Sequence, residues 1–174
     1  MLSLTLLAIA FILAAIVLYA STRPDIFHVE RSISIDASPD KIFPLINDLR
    51  QWDAWTPYDK DPAMKKTYSG SQSGKGAHFA WEGNKTVGAG EMTIAEVVAP
   101  SRLVFDLHMI KPFEGRNVAS ICLEPAGDAT TVTWALDDKH NLMLKTMSLF
   151  MNLDKMIGKD FSLGLSRLKA VAEQ

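Results

Sequence analysis

The sequence predicts an α+β domain behind an apolar N-terminal segment, and three observations carry that prediction. The first 20 residues hold 18 apolar side chains and no charge. From Met64 to Asp138, short alternating runs succeed one another with Gly, Pro or Asp breaks between them, the pattern of an antiparallel meander. From Leu142 to Glu173 there is no Pro, and apolar residues recur at helical spacing,. Composition narrows the function classes. A chain of 174 residues has room for one core,. A net charge of −2 without a basic cluster argues against a nucleic-acid binder,. One Cys excludes an internal disulfide and a multi-Cys zinc site,.

The elements follow in order. Residues 1–20 form a helix of about 30 Å at about 1.5 Å per residue, the thickness of a bilayer's hydrocarbon core. Ser3 and Thr5 are its only polar side chains, and Tyr19 falls at the interface end,. The reading is a single-pass membrane anchor; a cleaved signal peptide and a buried core helix are the alternatives. Against a signal peptide, no Lys or Arg precedes the run, and Leu18 would occupy the position three residues before a cut after Ala20,. Arg23 on the C-terminal flank leans toward a cytoplasmic domain,.

Residues 21–27 are a linker, and the domain proper is 28–174. In the strand His28–Asp36, Val29, Arg31, Ile33 and Ile35 share a face,. Ser38 at N-cap and Pro39 at N1 open a helix bearing Ile42, Phe43, Leu45 and Ile46, and a short turn follows through Trp52,. Tyr68 precedes a hairpin-like Gly70–Gly74 connection. The strands Ala77–Glu82, Gly90–Val98, Leu103–Ile110, Asn117–Glu124 and Ala129–Leu136 come next,. The final helix, Leu142–Glu173, is about 32 residues long and has Gly158 and Gly164 as possible kinks,. An antiparallel sheet must bury one face, and only this helix is large enough to cover it.

Three phrases carry a family likeness: VERSISIDASPDKIFPLINDLRQWDAWTPYDKDPAMKKTYSG, AWEGN and FMNLDKMIGKDFSLGLSRLK. Over roughly Phe27 to Glu173 the chain resembles the SRPBCC (START-like) superfamily of polyketide cyclase/dehydrase type. The resemblance implies a helix-grip fold, in which a curved antiparallel sheet wraps a long C-terminal helix and two short helices follow strand 1. Such proteins include lipid carriers, aromatic cyclases, coenzyme Q-binding proteins and Hsp90-activator-like domains, so the likeness implies a fold more narrowly than an activity.

Strand alternation then selects the side chains that face the cleft. Leu103, Phe105, Leu107 and Met109 share a face, as do Asn117, Ala119, Ile121 and Leu123; Phe79 pairs in this sense with Trp81, Met92 with Ile94, and Val132 with Trp134,. On a helical wheel Met147, Phe150, Met151, Phe161 and Leu165 form a stripe with Asp154 at its centre,. A carboxylate there must be paired, hydrogen-bonded or protonated. Asp154 is therefore read as a polar anchor or general acid/base of raised pKa, with inward Asn117 as its counterpart on the sheet and the indole N–H groups of Trp81 and Trp134 as further partners; alternatively Asp154 bonds Asn117, a tryptophan or a backbone amide and only locks helix to sheet. Trp52, Trp55 and Tyr58 either stack on a planar ligand or plug the end of the core. The expected pocket comprises Trp52, Trp55, Phe79, Trp81, Met92, Phe105, Leu107, Met109, Trp134, Met147, Phe150 and Met151.

Other signals add little. His28, His78, His108 and His140 lack ligand spacing, so neither a metal nor a cofactor is expected,. The glycines of Gly74-Lys75-Gly76 and Gly88-Ala89-Gly90 sit between strands and are turn glycines,. Three functions are weighed. The first is membrane-tethered binding of a lipid, quinone or polyketide-like molecule. The second, suggested by the resemblance, is a cyclase/dehydrase with Asp154 as base and Asn117 with a tryptophan N–H as donors. The third is an Hsp90-activator-like interaction domain, which an exposed apolar patch around Trp52 and Trp55 would favour.

Overall fold

The computed structural model describes residues 2–22, 26–139, 145–146, 148–149 and 151–174. Helix α1 covers Leu2–Ser21, followed by strand β1 (Ile26–Ile35), helix α2 (Pro39–Asn47) and a 3-10 turn (Gln51–Ala54). Six strands come next: β2 (Lys65–Gly70), β3 (Ala77–Glu82), β4 (Ala89–Val98), β5 (Arg102–Lys111), β6 (Gly115–Ala126) and β7 (Ala129–Lys139). Helix α3 (Leu153–Ala172) closes the chain. The seven strands form one sheet in the order β1-β7-β6-β5-β4-β3-β2, and every pairing is antiparallel. The meander therefore runs outward from β7 to β2, and the first strand returns to pair with the last. This is the α+β, helix-grip architecture expected.

The sheet buries one face against α2, the 3-10 turn and α3. Val29, Ile35, Ile94, Leu103, Phe105, Ile121, Leu123 and Val132 supply it, and Phe161, Leu165 and Leu168 answer from α3. The alternation expected on β5 and β6 holds. Beyond Ile94 a bulge shifts the register, so that Val97 rather than Glu96 faces Leu103,.

Two boundaries and the reading of two glycines differ from expectation in ways that bear on the site. β7 continues to Lys139, which carries its inward parity on to Asp138. The last helix begins at Leu153 rather than Leu142, because Asn152 caps it by accepting a 2.8 Å bond from the Lys155 backbone N–H,. Gly158 and Gly164 mark close approaches inside a continuous helix rather than kinks. The Arg31 guanidinium lies over Gly158, and a Cβ on Gly164 would stand 2.8 Å from the Trp134 ring.

In α1, side chains are described from Thr5 to Ile12 and from Ala14 to Ser21. Most are exposed, Phe11 at 76% and Leu18 at 72%. Among the described residues no helix is long and apolar enough to cross a membrane, so the fold does not establish the anchor that the composition suggests.

Candidate functional site

Ladder register places one residue from each strand in a row across the concave face: Phe27, Asp138, Asn117, Leu107, Met92, Phe79 and Tyr68. The row lies at the end where β1 begins and α3 starts. It divides the interior into two halves with different packing.

Toward the base, the rings close on one another. Trp52 and Trp55 have centroids 4.6 Å apart, Trp52 meets Phe105 edge-on at 5.2 Å, and Trp134 stacks on Phe161 at 4.3 Å and 5°. Both indole N–H groups of the turn are satisfied locally, Trp52 Nε1 by the Ile46 carbonyl at 2.9 Å and Trp55 Nε1 by that of Leu45 at 3.0 Å. Trp52, Trp55, Phe105 and Trp134, expected in a ligand pocket, are buried core side chains. They plug the end of the sheet; Trp52 and Trp55 are buried, while Tyr58, edge-on to Trp134 at 6.3 Å, is 40% exposed. The open space expected between these inward rings is filled.

Toward the mouth, packing thins. Tyr68, Phe79, Trp81 and Leu107 are only partly buried, and Met109 is half-buried. Tyr68 stacks on Phe79 at 5.0 Å and Phe79 on Trp81 at 5.7 Å, giving an aromatic ladder over β2 and β3. Gly90 makes the ladder possible: a Cβ there would stand 2.5 Å from the Trp81 ring, so only a glycine lets the indole lie flat across β4,. Arg50 caps the far end with its guanidinium 4.9 Å from the Tyr68 centroid,. The floor is polar at one point. With its amide turned to donate, Asn117 reaches the Asp138 carboxylate at 2.8 and 3.0 Å.

Asp154 stands apart from this floor. Its side chain is 53% exposed, and its partner is Arg31, which donates Nη2 at 2.9 Å and Nη1 at 3.1 Å to the two carboxylate oxygens. The Arg31 hydrogen bond holds the carboxyl below its usual range, where a raised value was expected. Arg31 lies on the face of β1 that α3 covers, over Gly158. Asp154 belongs to the first turn, at the mouth, where water and a counter-ion share it. Asn117 pairs with Asp138 instead. Arg31 could have been foreseen as the partner, because it shares a face with Val29, Ile33 and Ile35.

Met92 is buried in the row, Met151 is exposed beside the α3 cap, and Met147 and Phe150 lie outside the described residues. Phe27, Tyr68 and Asp138 join the row without having been singled out; continued alternation past Leu136 would have found Asp138. A shallow groove of about 390 Å³ opens beside the row, lined by Phe27, Ser148, Leu149, Met151, Asn152 and Leu153 with Asp154. Another, of about 430 Å³, lies outside the sheet–helix interior between α2 and Gln72–Ser73. Among the described residues, no group of three or more His, Cys, Asp or Glu is placed to hold a metal.

No curated protein matches this chain. Among solved structures, it is similar to protein CV1439 from Chromobacterium violaceum, with 12% identity and a TM-score of 0.61 over 87% of this chain and 99% of that one. The Aha1 dimer from Colwellia psychrerythraea gives 17% identity and a TM-score of 0.61 over 84% of this chain and 96% of the other. DynU16, a putative protein of the dynemicin biosynthetic locus, gives 16% and 0.57 over 87% of this chain and 48% of its own. At such identities the likeness shows the fold alone. The family model for polyketide cyclase/dehydrase and lipid transport matches residues 27–173, nearly the whole domain, and the chain therefore belongs to that family within the SRPBCC superfamily.

Proposed function

We propose that this protein binds a hydrophobic small molecule, of lipid, quinone or polyketide-like aromatic type, against the open half of the concave face, and that α1 tethers it to a membrane. One observation carries the binding reading. Tyr68, Phe79, Trp81 and Leu107 are inward-facing and large, yet only partly buried in a domain whose base is packed shut. Apolar surface left partly wet on a concave wall gains about 25 cal/mol per Å² when a ligand covers it, and the Asn117–Asp138 pair supplies a point of polar orientation.

Support for the tether comes from the composition and exposure of α1: 18 of the first 20 residues are apolar, and most of the described side chains are exposed. A tethered pocket meets membrane-derived ligands at high effective concentration. Arg23 on the flank is the basis for placing the domain on the cytoplasmic side,. Native mass spectrometry of detergent-purified full-length protein tests the binding reading. A co-purifying small molecule, displaced by a lipophilic probe, is expected. Protein that carries nothing and binds no probe would rule it out.

A further inference from the structure

Among the described residues outside α1, eight large apolar side chains are exposed; Tyr58, Val98, Val118 and Leu163 lie on other surfaces, and the remaining four lie toward one end of the domain. Ile110, near the end of β5, and Phe113, on the β5–β6 connection, are 45% and 52% exposed, and Met151 and Met156 are 45% and 50% exposed at the start of α3. Ladder register brings them together. Ile26 pairs with Lys139, Asn117 with Asp138, and Met109 with Gly115, so the start of β1, the end of β7 and the β5–β6 hairpin share this edge. Phe27 lines a shared groove with Met151, Leu153 and Asp154, which sets the first turn of α3 beside the start of β1. Ile110 is unpaired because the β4–β5 register slips there, Ala89 opposing Lys111 and Gly90 opposing Met109,.

The same edge receives the chain from α1. The helix ends at Ser21 and β1 begins at Ile26. The connection between them therefore reaches at most about 18 Å, even fully extended. The hairpin lies about three strands from β1, roughly 14 Å to the side. If α1 sits in a bilayer, the two reaches together keep this edge within about 32 Å of the point where the chain leaves the lipid, and the opposite end, at the Ala126–Ala129 turn, lies a full strand length farther along the sheet. The charge beside the apolar four is mixed: Lys155 is exposed, Lys111 is ion-paired with Glu82 at 3.2 Å, and Glu114 on the same hairpin is 78% exposed, so the apolar side chains rather than net charge carry the contact.

We infer that Ile110, Phe113, Met151 and Met156 form a rim that docks on the bilayer surface and turns the mouth of the aromatic half toward the lipid. The inference rests on the tether proposed above. Docking joins the pocket to its source of ligand without a passage through water, which is the barrier a lipophile otherwise meets.

The test uses the full chain with Cys122→Ser, reconstituted into mixed phosphatidylcholine–phosphatidylglycerol vesicles. Spin labels are placed in turn at Leu6→Cys, Phe113→Cys, Met151→Cys and Asp128→Cys, the last in the far turn. Collision with oxygen and with a nickel chelate reads depth. The expected result is gained oxygen and lost nickel accessibility at positions 6, 113 and 151, with no change at 128. A label at 6 in lipid with 113 and 151 as open to nickel as 128 overturns the rim and leaves the tether standing. A label at 6 in water overturns both. Dipolar broadening between labels at 113, the mark of a second copy on the rim, overturns docking on lipid. A paired readout is pyrene uptake: Ile110→Asp with Phe113→Asp is expected to slow uptake from vesicles and to leave binding from detergent unchanged.

Discussion

Arg31 and Asp154 show how much a counter-ion changes a carboxylate. A carboxylate aligned with an apolar stripe invites the reading of a buried acid with raised pKa, but a bidentate guanidinium inverts the sign. Asp154 is held below its usual range, so its contribution to stability is present above the ordinary value and lost as pH falls through the lowered one,. Asp154→Asn is therefore expected to lower the melting temperature slightly at neutral pH, to flatten the acid limb, and to leave ligand affinity unchanged; thermal melts across pH and a probe titration check all three. The opposite sign holds for His28, which the Asp137 carboxylate at 2.7 Å and then Glu30 raise above 6.5. That contribution is complete below 6.5 and fades as pH rises through the raised value, and His28→Gln is expected to remove it from the same melts. Among the rings, Trp134→Ala is expected to cost about 3–5 kcal/mol because the residue is buried against Phe161,. Trp81→Ala, on the open half, should cost less and instead weaken binding of an aromatic probe, measured by fluorescence titration.

Strands and helices were legible in the chain to different degrees. Period-two alternation in β5 and β6 predicted inward faces that the ladder reproduces, because a one-residue slip would expose Phe105 and Ile121,. The end of β7 was missed at Leu136, since Asp137 and Asp138 look like a turn and are instead a ladder pair each. The start of α3 was missed for a related reason. Apolar spacing runs on through Met147 and Met151, with no Pro to stop it, and the only signal is Asn152, an N-cap whose effect depends on one side-chain bond,. Asn152→Ala is expected to cost about 1 kcal/mol by denaturant melts. Glycines on α3 were read as hinges because sequence cannot show what lies opposite them. Replacing a helical glycine by alanine ordinarily gains about 1 kcal/mol. At Gly164 the new methyl would stand 2.8 Å from the Trp134 ring and 3.0 Å from Pro57, so Gly164→Ala is expected to destabilise, the reverse sign, in the same melts,.

Taken together, the domain separates what holds it folded from what is free to bind. The tryptophans were visible in the sequence as a cluster, but whether they line a void or fill it depends on how far α2 and the 3-10 turn tuck beneath the sheet, a long-range packing outcome that no local pattern encodes. They fill it, and the inward side chains left partly buried lie on the β2–β5 side. Substitutions among Tyr68, Phe79, Trp81, Leu107 and Met109 should therefore change which molecules bind without unfolding the chain, whereas those in the tryptophan cluster should do the reverse.

The pairing of β1 with β7 has a further consequence during synthesis. Ile26 and Lys139 meet across more than a hundred intervening residues, and α3, which follows β7, covers the same strand. A nascent chain emerging from the ribosome must hold β1 as a bare edge until its last third has been translated, a long-range closure of the slow, aggregation-exposed kind. Polar Glu30, Ser32 and Ser34 on one side of that waiting strand, and a charged Arg31 on the other, are the features that keep it from pairing with the wrong neighbour in the interval,.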